Sequence, residues 1–228
     1  MSQINPEKLW QTAERHLKSN RPSRAEPHLR KLVQALPGDP IVHFNYGLCL
    51  FQAGKIKKAI DVLQKTIAMG NPKPPFFSAL AEAALADGEI GLAINSLESG
   101  ITRTPLEVTL HQRKAMIFQD TGQWREAVRV YSTVLALDGQ NLDAFVNSAI
   151  CKRQLGDFSG ALDHINSADR LRPETSSILY VKGSIEQNIG NTQRAQDYYQ
   201  RAAELDPENY SAQRNSLFNL LNLPNIDQ

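Results

Sequence analysis

The sequence predicts an all-α protein of stacked helix pairs, because three residue types recur at one fixed spacing. Alanine returns every 34 residues without a slip, six times in succession. A small residue stands twelve positions before each of these alanines, and a glycine or asparagine stands five positions before it. A period of this length is typical of solenoids, in which each repeat is one supersecondary unit packed on its neighbours. The alanines are Ala25, Ala59, Ala93, Ala127, Ala161 and Ala195.

Each 34-residue unit predicts one antiparallel helix pair. The small residue at position 8 of the unit and the alanine at position 20 allow the two helices to approach closely. The glycine or asparagine at position 15 tolerates the left-handed conformation with which a first helix commonly ends. Proline at position 32, present in four units, stops the second helix. The units are 6–39, 40–73, 74–107, 108–141, 142–175 and 176–209.

The two ends of the array are less regular than its middle. Residues 23–26 have capping-box spacing, which predicts a second helix with Pro27 in its first turn. An apolar stretch after the sixth unit predicts a capping helix at 210–222, which would cover the last apolar face, followed by a short tail at 223–228. We therefore expect residues 1–228 to form a single domain.

These columns resemble the signature of the tetratricopeptide repeat (TPR) family, which has a large residue at position 4, small residues at 8 and 20, and proline at 32. The resemblance covers residues 6–209. It implies a right-handed α-solenoid superhelix of antiparallel helix pairs whose first helices line a concave groove. His43 and His111 depart from the pattern at position 4, as do Lys152 and Glu186 at position 11. We expect the two histidines to pack with their ring nitrogens bonded to local partners.

Length and composition fit such an array. With 228 residues, of which 41% are hydrophobic, the chain can bury a continuous core. No apolar run approaches the ~20 residues that span a membrane, and residues 1–6 lack the basic and apolar regions of a signal peptide. The sequence therefore predicts a cytoplasmic protein. Cys49 and Cys151 lie three repeats apart, too far for a disulfide, so we expect two buried free thiols.

Catalytic chemistry is not indicated. The histidines are scattered over four units without an i, i+4 pair, so no metal site is predicted. The glycine-containing stretches 88–91 and 156–160 coincide with predicted turns between helices rather than with a phosphate-binding loop. We expect no catalytic residue, no metal and no cofactor, and hence a protein that is not an enzyme.

The resemblance places the function in the groove, at first-helix positions 2, 5, 6, 9, 12 and 13. These positions are rich in apolar residues in repeats 1 to 3 and largely polar in repeats 4 and 5, which predicts an apolar pocket continued by a polar track. The amides of Asn45 and Asn147 can hold a peptide backbone without reading its sequence. An alternative is that Trp10 and Phe44 only fill the interface between repeats 1 and 2. The predicted peptide-binding residues are Trp10, Phe44, Asn45, Leu48, Phe51, Gln112, Arg113, Asn147 and Arg153.

Charge is spread unevenly along the chain. The net charge is +1, but residues 1–73 contain 12 Lys and Arg against 5 Asp and Glu. Basic side chains recur at equivalent second-helix positions, such as Arg24 and Lys58, and are expected to form rows on the outer face. This surface is either simply solvated or a dock for an acidic protein; nucleic acid and anionic lipid are disfavoured as partners.

Three functions remain open from the sequence. The first is a protein-interaction scaffold that binds an extended peptide or partner segment in its groove. The second is the N-terminal partner-binding region of a larger bacterial-type sulfotransferase or glycosyltransferase, since residues 21–27 and 37–40 resemble the first repeats that precede such domains. The third is a self-assembling scaffold, a homo-oligomer in which the terminal helix of one copy occupies the groove of another.

Overall fold

A computed structural model of the chain describes residues 5–208, and all the regular secondary structure in that range is helical. Twelve α-helices follow one another along these residues, so the predicted all-α fold is confirmed. They are α1 (Pro6–Lys18), α2 (Pro22–Ala35), α3 (Pro40–Gln52), α4 (Ile56–Ala68), α5 (Pro74–Ala86), α6 (Ile90–Arg103), α7 (Val108–Asp120), α8 (Trp124–Leu137), α9 (Leu142–Gln154), α10 (Phe158–Leu171), α11 (Ser176–Ile189) and α12 (Thr192–Leu205). The predicted capping helix at 210–222 and the tail at 223–228 lie outside the described residues.

The chain divides into two compact units, which we call unit 1 (Met1–Arg113) and unit 2 (Lys114–Gln228). In unit 1, each helix from α1 to α6 packs on the next one along the chain. In unit 2, the same holds from α8 to α12. The first helices of successive pairs also touch, α3 against α5 in unit 1 and α9 against α11 in unit 2. Each unit therefore presents neighbouring first helices on a common face, while a single domain over 1–228 stays a prediction.

The turn between the helices of each pair has one repeated geometry. Every first helix is followed by a left-handed residue at position 15, with φ between +52° and +94°. The N–H of the next residue then donates to the carbonyl five residues earlier, for example Lys55 to Leu50 at 2.9 Å and Asn191 to Glu186 at 2.9 Å. This backbone bond is the signature of a Schellman motif, which satisfies a carbonyl at the helix end. The turn predicted from the glycine column is confirmed.

The small-residue columns mark the contact between paired helices. The alanines at position 20 are 0–2% exposed in all six units. At position 8, a Cβ added to Gly47 would lie 2.8 Å from Leu63 Cδ2, and one added to Gly183 would lie 2.7 Å from Tyr199 Cε1. Real Cβ atoms do not approach side chains this closely. The predicted close approach at positions 8 and 20 is therefore confirmed.

The start of α2 differs from its prediction. The helix begins at Pro22 with Arg21 as N-cap, and no side chain within residues 5–208 caps it. As in the other five repeats, the second helix begins two residues after the left-handed residue, here Asn20, and the fixed φ of Pro22 suits a first helical position. Pro27 consequently lies inside α2 rather than in its first turn, and the expected capping box does not form.

Candidate functional site

An open depression of about 620 Å³ lies on the first-helix face of unit 1. We call it the unit 1 pocket. Helices α3, α5 and α7 line it together with the loops that precede α5 and α7, and on α3 and α7 the lining residues occupy groove positions 2, 5, 6 and 9 of their repeats. Its lining residues are Phe44, Leu48, Lys73, Pro74, Pro75, Ser78, Ala79, Glu82, Glu107, Thr109 and Arg113. Three of the predicted residues, Phe44, Leu48 and Arg113, are thus brought together.

Aromatic packing supports the apolar side of the pocket. The ring of Phe44 stacks on that of Phe76, with centroids 4.6 Å apart and planes 27° from parallel. Phe76 is 2% exposed, so it is a fixed part of the core. Phe44 and Leu48 pack against the apolar cluster of α3, α4 and α5. Phe44 therefore joins the second helix pair to the third, so it does more than fill the interface between repeats 1 and 2.

Charged and polar groups also line the pocket. Arg113 on α7 donates to the carboxylate of Glu82 on α5, and both side chains are partly exposed. The hydroxyl of Thr109 donates to Glu107 at 2.7 Å. Lys73, before α5, is exposed. The pocket thus combines an apolar floor with a rim that carries both signs of charge.

Several lining residues were missed by the sequence reasoning. Ser78 and Glu82 occupy groove positions 5 and 9 of repeat 3, so the register alone could have found them. Lys73, which ends repeat 2, and Glu107, which ends repeat 3, lie in loops outside the groove columns. No column signal marks such loop residues, because the repeat pattern describes helices.

Other predicted residues of unit 1 lie apart from the pocket lining. Trp10 is half-buried against the apolar cluster of α1, α2 and α3, so it does pack between repeats 1 and 2. Phe51 is half-buried against the cluster that also holds Phe44. Asn45 donates one amide hydrogen to the carbonyl of Ile41, 2.8 Å away in its own helix. That bond leaves the second hydrogen and the carbonyl oxygen of the amide for other partners.

Gln112 of unit 1 is half-buried on α7, next in sequence to Arg113. In unit 2, Asn147 and Arg153 are half-buried on α9. Arg153 Nη1 donates to Asn188 Oδ1 on α11 over 3.1 Å. Burial lowers the pKa of the Arg153 guanidinium from its ordinary value.

The histidines that depart from the repeat pattern are satisfied locally. His43 Nδ1 lies 2.9 Å from the Asp39 carbonyl oxygen, and His111 Nε2 lies 2.9 Å from that of Pro105. Carbonyl oxygens accept only, so each of these nitrogens carries hydrogen. The expectation of a local partner is thus confirmed for one nitrogen of each ring.

The two thiols are buried and free, as expected. Cys49 donates to the Pro22 carbonyl at 3.3 Å, and Cys151 donates to Gln119 Oε1 at 3.6 Å. Burial raises the pKa of Cys49 to about 11 and that of Cys151 to about 12. Among residues 5–208, no group of three or more His, Cys, Asp or Glu side chains is placed to hold a metal ion. No helix of the same range is long and apolar enough to cross a membrane.

Sequence comparison assigns the repeats to a family. Profiles of the tetratricopeptide repeat match residues 11–74, 113–174 and 176–209. The photosystem I assembly protein Ycf3 of Synechococcus elongatus is 30% identical over 128 residues, which cover 49% of this chain and 74% of Ycf3. The probable UDP-N-acetylglucosamine–peptide N-acetylglucosaminyltransferase SPINDLY of Hordeum vulgare is 30% identical over 95 residues. That match covers 42% of this chain but only 10% of SPINDLY.

Solved structures share the fold at low sequence identity. The C-terminal part of a TPR repeat-containing protein from Cytophaga hutchinsonii aligns with a TM-score of 0.74 at 14% identity, over 86% of this chain and 79% of that one. MamA aligns with a TM-score of 0.65 at 14% identity, over 74% and 92%. YrrB aligns with 0.61 at 19% identity, over 75% and 88%. Since the repeat profiles also match most of the sequence, the chain belongs to the tetratricopeptide repeat family.

Proposed function

We propose that this chain is a protein-interaction scaffold that binds an extended segment of a partner protein on its first-helix face. The unit 1 pocket is the observation that carries the proposal. It lies at the groove positions of α3 and α7, its floor is apolar, and its rim is charged. A concave apolar surface with a few convergent polar groups is the usual form of a binding site.

The chemistry of the pocket suggests how a segment would bind. An apolar side chain of the partner would rest on Phe44 and Leu48, and full burial of such a side chain is worth roughly 1.5–3 kcal/mol. The Glu82–Arg113 pair crosses from α5 to α7 and fixes both charged groups at the rim. These groups would orient the segment rather than supply most of the affinity, because exposed charge pairs contribute little.

Relatives support a binding role without naming the partner. YrrB is a TPR protein with a peptide-binding site, and Ycf3 is an assembly protein. By analogy, we propose a non-catalytic role for the residues of this chain. The predicted cytoplasmic location and self-assembly through the terminal helix stay predictions.

The SPINDLY match favours a second candidate function. That protein is a glycosyltransferase of which this chain matches about a tenth. The chain would then be the partner-binding region of a larger glycosyltransferase, as the residues before α3 also suggested. The length of the native transcript decides between the candidates: an open reading frame that continues into a transferase domain supports the second and excludes a free-standing scaffold.

A blocking substitution tests the pocket. Ser78 is half-buried in the lining, so Ser78→Tyr would fill the depression while leaving the Phe44–Phe76 stack intact. Ser99→Tyr is the matched control, because Ser99 is exposed on α6 and lies outside the lining. Ligands would come from a random peptide library displayed on phage and selected on the full chain. Fluorescence anisotropy would then give the Kd of the best peptide for the parent and both variants.

We expect Ser78→Tyr to weaken binding at least about tenfold, equivalent to about 1.4 kcal/mol, with Ser99→Tyr unchanged. Thermal unfolding should show both variants folded. Equal affinity of parent and Ser78→Tyr would show that the pocket does not bind the segment. A library in which no peptide is enriched would contradict the proposed function itself.

A further inference from the structure

Positions 12 and 24 of the repeat form a side-chain pair that changes character along the chain. In repeats 4 and 6 a tyrosine at position 24 donates to a glutamine at position 12: Tyr131 to Gln119 at 2.9 Å, and Tyr199 to Gln187 at 2.8 Å. In repeats 1 to 3 both positions are apolar. In these five repeats, positions 12 and 24 are therefore either both polar or both apolar. Repeat 5 is the exception.

Repeat 5 places Arg153 at position 12 and the fully buried Ile165 at position 24. An isoleucine has no group that can accept from a guanidinium. Arg153 instead reaches Asn188, whose side-chain oxygen accepts from Nη1. Its Nε is buried and has no hydrogen-bond partner in the described part of the chain. A guanidinium has five N–H donors, and this one hydrogen bond is all that Arg153 makes within residues 5–208.

Among residues 5–208, no carboxylate pairs with Arg153. The titratable groups that act on it are the phenols of Tyr199 and Tyr180, which carry no charge at neutral pH. No ion pair of Arg153 is found in the described part of the chain. Lys182, a buried cation of unit 2, shows the contrast, because its Nζ lies 2.5 Å from the carboxylate of Asp169.

Holding a half-buried cation without an anion costs stability, because water has been removed and no charge replaces it. A structural arginine would be paired, as Arg201 is with Glu174. The planar fork of a guanidinium matches a carboxylate in two parallel hydrogen bonds. Arg153 occupies groove position 12 on α9, and α9 touches α11 on the first-helix face of unit 2. The missing charge is therefore best supplied by a bound segment.

We propose that Arg153 is the carboxylate-binding residue of unit 2, held in place by Asn188, and that the bound protein segment presents an acidic group to it. The acidic group is either a Glu or Asp side chain or the carboxyl terminus of the segment, and the chemistry is the same for both. This inference rests on the proposed function, which it extends from the unit 1 pocket to a second element of recognition in unit 2.

The side-chain Nε–Hε signal of Arg153 gives a direct test. It is assigned as the signal that disappears from a nitrogen–proton correlation spectrum of the full chain in Arg153→Lys. The probes are N-acetyl-glutamate amide, which has only a side-chain carboxylate, and N-acetyl-alanine, which has only a terminal one. N-acetyl-glutamine amide is the neutral control. We expect a saturable shift with one or both carboxylates and none with the amide. An unmoved signal, or equal shifts with the amide, would overturn the proposal.

Peptide selection provides a second test that keeps the two proposals apart. The displayed library is selected in parallel on the parent, on Arg153→Gln and on Arg129→Gln. The last is the control, because Arg129 is exposed and lies on α8, a second helix, rather than on a first helix. We expect acidic residues, or a free carboxyl terminus, to be enriched by the parent and by Arg129→Gln and to lose their enrichment at least tenfold with Arg153→Gln.

The possible outcomes distinguish a failure of the Arg153 proposal from a failure of the proposed function. Peptides enriched without any acidic preference would overturn the role of Arg153 and leave the proposed function standing. A library with no enriched peptide would contradict the proposed function, and the Nε–Hε titration would then decide the carboxylate site by itself. Circular dichroism of Arg153→Gln shows whether the variant is folded. Unfolding of this variant would instead indicate a structural arginine and overturn the proposal.

Discussion

Unit 1 and unit 2 are built from the same repeat but differ in whether their buried polar side-chain atoms have hydrogen-bond partners. In unit 1, the buried hydroxyls of Thr66 and Ser96 each donate to a backbone carbonyl, at 2.8 and 2.9 Å. In unit 2, four side-chain atoms are buried without a hydrogen-bond partner, and they are all of this kind found among residues 5–208. These atoms are Ser148 Oγ, Arg153 Nε, His164 Nδ1 and Thr175 Oγ1.

The difference shows which parts of a repeat are free to vary. Both units keep the small residues at positions 8 and 20 and the left-handed turn, which hold each helix pair together. The first-helix face differs, being apolar around Phe44 in unit 1 and polar around Arg153 in unit 2. Unsatisfied buried groups cost stability. The expected compensation in unit 2 is recognition of a partner.

The largest expected effect concerns what the units share. Ala59 of unit 1 and Ala127 of unit 2 are both 0% exposed at position 20. Replacing either with leucine should overpack the helix pair and cost roughly 1–3 kcal/mol. Urea unfolding followed by circular dichroism would measure the two variants side by side. An unchanged midpoint for either would mean that the helix contact of that unit is looser than the structure shows.

A smaller effect should distinguish the units at position 8. A Cβ on Gly183 would meet the ring of Tyr199 at 2.7 Å and the carbonyl oxygen of Ala195 at 3.2 Å, and the second of these belongs to the backbone and cannot rotate away. A Cβ on Gly47 would meet Leu63 at 2.8 Å, an aliphatic side chain that has other rotamers. Alanine also gains up to about 1 kcal/mol of helix propensity over glycine.

We therefore expect Gly183→Ala to lower the free energy of unfolding, and Gly47→Ala to lower it less, by a difference on the order of 1 kcal/mol. Thermal unfolding of the two variants against the parent checks the order. Equal losses would show that Tyr199 moves as easily as Leu63.

The repeat geometry could be predicted from the sequence because the residue type at each conserved repeat position is set by a local steric requirement. Position 8 must be small where two helices meet, and position 15 must accept a positive φ. The pocket could be predicted only in part, since the stack of Phe44 on Phe76 depends on which side chains face each other across neighbouring repeats. The Glu82–Arg113 pair was missed for the same reason. Arg153 was placed in the groove from its position, but its lack of a counter-ion is a property of the three-dimensional surroundings.

The thiols offer a third comparison between the units. Burial raises the pKa of Cys49 in unit 1 to about 11 and that of Cys151 in unit 2 to about 12. An unfolded thiol ionises near 8.5, so between that pH and the folded pKa the native state binds more protons. The stability that the two buried thiols contribute is therefore fully present below about pH 8.5 and is lost as pH rises through their pKa values in the folded protein.

We expect both thiols to resist a thiol reagent at pH 8 in the folded protein and to react at once in urea. With rising pH, Cys49 should react before Cys151, which peptide mass mapping would resolve. Rapid labelling of Cys151 at pH 8 would contradict its burial.

The smallest effect concerns His164 of unit 2, whose pKa is lowered first by burial and then by the positive charge of Lys152, with Asp163 and Asp157 opposing. Its ring meets Phe145 edge-on at 5.7 Å. Since the unfolded histidine binds a proton more readily, the stability that His164 contributes is present above its ordinary pKa and is lost as pH falls through the folded value. The histidine ring-proton shifts in NMR spectra should report this lowered pKa. Lys152→Gln should raise the pKa of His164, because the variant removes a positive charge and leaves the carboxylate of Asp157, which now lies 2.8 Å from Lys152 Nζ. Asn166→Gln is the control, an exposed polar change on the same helix. A His164 pKa that is unaffected by Lys152→Gln would leave burial as the whole cause.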